Sequence, residues 1–96
     1  MPSKNTINAL GALSNDLYRV AILLNRGSLE GARRFRMESN KRLSEVKMDG
    51  LKPYLKKIVD QIKHVNSYPD IDPYYADDYL MYSIQLQNYV VGSFSG

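Results

Sequence analysis

Between residues 26 and 42 the chain gathers Arg26, Arg33, Arg34, Arg36, Lys41 and Arg42. Cations at this density suit an anionic polymer, because each lysine or arginine set against a phosphate releases a condensed counterion and so strengthens binding. Helical spacing offers a competing use. Residues four apart on a helix are neighbours, which sets Glu30 over Arg34, Arg34 over Glu38, Glu38 over Arg42 and Lys41 over Glu45. Such a ladder neutralises much of the run and makes a plain solvated face. Arg26 lies ahead of the helix, while Arg33 and Arg36 fall at the borders of its apolar side, and these three escape the ladder. They could run along that side, meet carboxylates of a neighbouring subunit, or reach phosphate. If RNA or DNA binds, these six side chains are expected to carry it, with Lys56 and Lys57 as further contacts.

Enzymatic and metal chemistry find less support. Without cysteine there is no thiolate nucleophile, no sulfur-held zinc and no disulfide. A single histidine, His64, excludes a multi-histidine metal site within one chain. Asp60 precedes it by one helical turn, a spacing that more often orients a surface histidine than builds a general base, and a cleft holding both would be needed to revive a catalytic reading. Asp70, Asp72, Asp77 and Asp78 do not match a calcium loop, since Tyr74 and Tyr75 stand where a further ligand and a glycine belong. Helix capping explains these acids more simply. The expectation is therefore no catalytic residue, no metal, no cofactor and no small-molecule substrate.

The elements that must position these residues read as all-α. Leu10, Leu13, Leu17, Val20, Ala21 and Leu24 recur at intervals of three and four, which predicts a helix over 6–25. Gly27 follows where a helix end favours a left-handed residue. Ser28 is the N-cap candidate of a second helix over 28–46, although Gly31 stands where a capping box has Glu or Gln. Leu51, Tyr54, Leu55, Ile58, Ile62 and Val65 make a narrow stripe for a third helix over 51–65, and Pro53 is tolerable in its first turn. Asp72 before Pro73 signals the start of a fourth helix over 73–91, after which GSFSG reads as a frayed tail. No strand alternation and no internal repeat is visible, so 96 residues point to one domain, an antiparallel up-and-down four-helix bundle.

The apolar faces are wider than one such core requires. A bundle helix buries a stripe somewhat over 100° wide. The fourth helix has Tyr75, Tyr79, Tyr82, Leu86, Tyr89 and Val90 on one side, with Ala76, Leu80, Ile84 and Val91 continuing round it. The first keeps Ile22 and Leu23 off its main stripe. Ile22, Leu23, Tyr75, Tyr79, Tyr82 and Tyr89 are therefore expected at an oligomer or partner interface, where tyrosine is enriched, although half-buried tyrosines under loops would explain them too.

Charge is unevenly divided: residues 1–48 carry nine Lys/Arg against four Asp/Glu, and residues 49–96 carry four against six. Such a division suits an anionic partner or contact between copies of the chain. Hydrophobic residues make up 44% and charged ones 24%, with no apolar run approaching the roughly 20 residues of a membrane span. MPSKNTINAL lacks the pattern of a secretory signal, so a cytoplasmic chain without membrane contact is expected.

The segments LSNDLYRVAILLNRGSLEGARRF and DDYLMYSIQLQNYVV, in a short basic bundle, resemble the accessory proteins of diversity-generating retroelements. The resemblance implies a cone- or barrel-shaped homo-oligomer with no catalysis of its own, whose basic surface binds the retroelement RNA and a reverse transcriptase. Two readings stand. One is a non-enzymatic, self-associating adaptor that binds a partner protein and nucleic acid through the second helix; the other is a purely protein-binding or structural oligomeric module whose arginines pair within the assembly.

Overall fold

Ser3 starts the first helix earlier than the apolar periodicity suggested, because its hydroxyl accepts the Thr6 N–H at 3.1 Å and supplies a partner for an otherwise unpaired helix-end donor. The computed structural model describes residues 2–95, and these form four α-helices: α1 Lys4–Asn25, α2 Leu29–Glu45, α3 Pro53–Asn66 and α4 Ala76–Ser95. Helix α1 ends as Gly27 required. With φ at 76°, Gly27 donates to the Leu24 carbonyl and Ser28 to that of Leu23, a paired closure that a Cβ at Gly27 would strain. Ser28 precedes α2, but its side chain makes no capping bond.

Two boundaries differ from expectation at α4. Asp72 does accept the Tyr74 N–H at 2.9 Å and Pro73 does sit in the first turn, yet Pro73–Tyr75 winds as a short 3-10 turn and the α-helix begins at Ala76. At the other end α4 continues through Ser95, since nothing in GSFS forbids helix and a glycine within one costs only about 1 kcal/mol. Gly96 lies outside the described residues.

Helix α1 is the spine of the core. Leu10, Leu13 and Leu17 are fully buried and Leu24 nearly so, each contributing roughly 1.5–3 kcal/mol of transfer free energy. Small residues let α4 approach it: Gly11 lies beside Val90, and the Ser14 hydroxyl donates to the Ser83 carbonyl at 2.8 Å. Against α2, Leu23 packs by Gly31 at one end, and at the other the Lys47 N–H, just past α2, donates to the Thr6 hydroxyl. Helix α3 adds Leu55, Ile58, Val59, Ile62 and Val65 to the same core but keeps a greater distance from α2 and α4. These contacts are compatible with an up-and-down bundle. The radius of gyration, 12.7 Å, is that of a single body of this length.

Tyr79, expected at an outer interface, is instead 1% exposed and belongs to this core. Its hydroxyl donates to Asn66 Oδ1 at 2.7 Å, and the Asn66 amide donates to Ser39 Oγ and Asn40 Oδ1, both at 2.9 Å. The polar tip of a large ring is thus satisfied in the interior, and α2, α3 and α4 are joined by one network.

Candidate functional site

The cations of α2 are mostly occupied. Arg33 clasps Asp70 with two hydrogen bonds, 2.8 and 2.9 Å long, and Arg36 donates to the Tyr68 carbonyl at 3.0 Å. Both therefore hold the α3–α4 connection against α2, a use that arginine's planar fork suits. Arg33 beside it, together with the Ile71 N–H, lowers the Asp70 carboxyl to about 2. Lys41 pairs with Glu38 and Arg42 with Glu45, each at 3.2 Å, so the rungs form at three-residue spacing rather than in the expected four-residue ladder. Arg42 also lies 3.8 Å from Asp16, where Arg42 Nε and Asp16 Oδ2 are buried with no hydrogen-bond partner among the described residues. Desolvation wins over attraction there, and the Asp16 carboxyl is raised. Of the six residues expected to grip nucleic acid, Arg26 and Arg34 remain exposed and without an ion pair among the described residues.

The expected interface residues separate into different surroundings. Ile22 and Leu23 are half-buried beside Tyr18, Arg26 and Phe35, with the Arg19 guanidinium 5.1 Å from the Phe35 ring centre. Tyr89 is half-buried near Ile7 and Tyr54. Tyr75 and Tyr82 line a groove between α3 and α4, described below.

A further exposed apolar surface spans two helices along the seam of α1 and α4. Tyr18 and Ile84 are each 50% exposed there, around a shallow depression completed by Ser14, Asn15, Ser83, Gln87 and Asn88. None of the seven is charged. Val91, 54% exposed, continues the Ile84 stripe two turns further on. The width of the α4 apolar face already pointed to Ile84 and Val91; Tyr18 could have been found from its position off the α1 stripe, next to Ile22.

Where α3 stands off from α4, a groove of about 610 Å³ opens. Val65, Tyr68, Tyr75 and Tyr82 give it an apolar floor, and Lys56, Lys57, Asp60, His64 and Asp78 stand along its sides. Its rings form a chain, with His64 to Tyr68 at 5.3 Å, Tyr68 to Tyr75 at 5.4 Å and Tyr75 to Tyr74 at 5.0 Å between centres. Burial raises the Tyr82 hydroxyl, and hydrogen bonding to Tyr68 is the first cause raising that of Tyr75. Asp60 and His64 do share this cleft. The histidine Nε2 lies 3.2 Å from the Tyr68 hydroxyl, so the partner that meets that nitrogen is a phenol rather than the carboxylate of Asp60.

Among the acids considered for a cation, Asp70 is engaged by Arg33 and Asp72 by the Tyr74 N–H. No helix among the described residues is long and apolar enough to cross a membrane. No family model, curated protein or solved structure matches the chain.

Proposed function

We propose that the chain is an antiparallel up-and-down four-helix bundle that works without catalysis as a self-associating, protein-binding module, its copies meeting on the α1/α4 face. The observation that carries this reading is the uncharged surface around Tyr18 and Ile84 in a chain with 24% charged residues. Interface centres are depleted in charge, and a face without charge lets two copies of a cationic chain meet without setting like charges directly against each other. A two-fold pairing would set each Tyr18 against the other copy's α4. A stable pair covers about 800 Å² on each partner, roughly a seventh of the 5883 Å² surface, which the outer sides of two helices of 22 and 20 residues can supply.

Nucleic-acid binding through α2 receives less support, because Arg33, Arg36, Lys41 and Arg42 already have partners within the chain. An adaptor of this kind also needs a second protein to hold, which the retroelement resemblance would make a reverse transcriptase. The test is to introduce charge on the face. Tyr18→Asp with Ile84→Asp should leave helix content unchanged by circular dichroism and convert the assembly to a monomer in size-exclusion chromatography with light scattering; an unchanged assembly would remove the α1/α4 face from the account.

A further inference from the structure

We infer that the α3–α4 groove is a binding site for a nucleotide unit, its base stacked among the groove tyrosines and its phosphate held by Lys56 and Lys57. The inference stands apart from self-association, which uses another face.

Two independent observations meet in the groove. The first concerns charge. Lys56 and Lys57, which line the groove, are exposed and neither is in an ion pair among the described residues, whereas most of the α2 cations are paired. Asp60 is the single acid within α3. Lys56 and Lys57 stand one turn before Asp60 and two before His64 on the α3 side of the groove. The second concerns rings. Tyr68, Tyr75 and Tyr82 are half-buried at the groove floor, held in place by packing yet open on one side, and Tyr74, 79% exposed, extends the array outward.

Packed aromatic faces beside exposed unpaired cations are the elements by which proteins hold single strands, since every base has a flat face and every link a charge. The two acids have a place in such a site. Asp60 and Asp78 can accept hydrogen bonds from base or sugar donors while the lysines meet phosphate. A duplex would not fit this chemistry, because its bases are already stacked on each other. The shared ligand chemistry is base plus phosphate, whether it comes as a free mononucleotide or as one unit of a single strand.

Fluorescence anisotropy of a labelled oligothymidine of about 12 nucleotides tests the site, with wild-type protein at about 50 mM salt. Micromolar binding is expected. Lys56→Glu with Lys57→Glu should weaken it and reduce the slope of log K against log salt by about 1.4, two contacts at about 0.7 each. Tyr75→Leu, or the exposed Tyr74→Ala if the first variant is misfolded by circular dichroism, should weaken binding at least about fivefold with the salt slope kept. Arg26→Glu with Arg34→Glu should change it less than about twofold. Competition by thymidine monophosphate separates the sources: displacement at strand-like concentrations assigns the site to a free nucleotide, and displacement only at concentrations far above these assigns it to a strand. The inference is overturned if the wild-type chain binds neither the oligonucleotide nor thymidine monophosphate, which leaves the groove to a protein partner, if a duplex binds as tightly as the single strand, or if binding is lost with the α2 pair rather than the α3 pair. None of these results bears on whether copies of the chain associate.

Discussion

Arg33 reaches out from α2 and holds Asp70 in a two-pronged grip, Nε to Oδ1 at 2.8 Å and Nη2 to Oδ2 at 2.9 Å. The connection leading into α4 is thereby fixed to a helix distant in sequence. Asp70 is lowered to about 2 in the folded chain from an ordinary 3.8, so folding favours its charged form. The associated stability is complete above about pH 4 and is lost as pH falls towards 2. In Arg33→Gln, the carboxyl carbon of Asp70 should titrate closer to 3.8 by NMR, though still below it because the Ile71 N–H remains bonded at 2.8 Å.

Tyr79→Phe should destabilise the chain by about 1–3 kcal/mol in urea unfolding, since it keeps the ring and leaves Asn66 Oδ1 buried without its 2.7 Å donor. Burial also pushes the Tyr79 hydroxyl up to about 12, with Arg36 pulling the other way. The folded chain holds that proton more tightly than the unfolded one. Stability from this group is accordingly present below about pH 10 and falls as pH rises through 12. Tyrosinate absorbance should show Tyr79 ionising last, together with unfolding, after the smaller delays of Tyr75 and Tyr82.

Asp16→Asn should cost no stability at neutral pH, despite removing one member of an ion pair. The 3.8 Å separation from Arg42 is too long for a hydrogen bond, and burial outweighs the attraction, so the folded carboxyl binds its proton more tightly than the ordinary 3.8. For Asp16 the charged form is thus disfavoured by folding, and its contribution declines as pH rises through the raised value. The pH profile of the urea midpoint should lose this acid-range decline in Asp16→Asn; a large drop in the midpoint at pH 7 would mean that attraction wins.

Helix content and order were legible because leucines at three- and four-residue spacing have one economical arrangement. The α1 stripe from Leu10 to Leu24 is buried as its periodicity demanded, and Gly27 takes the left-handed conformation its position implied. Surfaces were less legible. Spacing along α2 paired Arg34 with Glu30 and Glu38, but it could not reveal that Asp70, distant in sequence, would take Arg33 or that the Tyr68 carbonyl would take Arg36. Tyr79 looked like its tyrosine neighbours because one dimension does not show Asn66 waiting to accept its hydroxyl. The groove was hidden for a similar reason: it exists because α3 stands away from α4, a property of the packing distance rather than of either stripe.

Sedimentation equilibrium of the wild-type chain across micromolar concentrations tests the proposed association most directly. A mass that is a whole multiple of 11.0 kDa, falling towards 11.0 kDa on dilution or in Tyr18→Asp with Ile84→Asp, is the result expected. A constant 11.0 kDa up to about 100 μM, where even a weak interface would be populated, would contradict it.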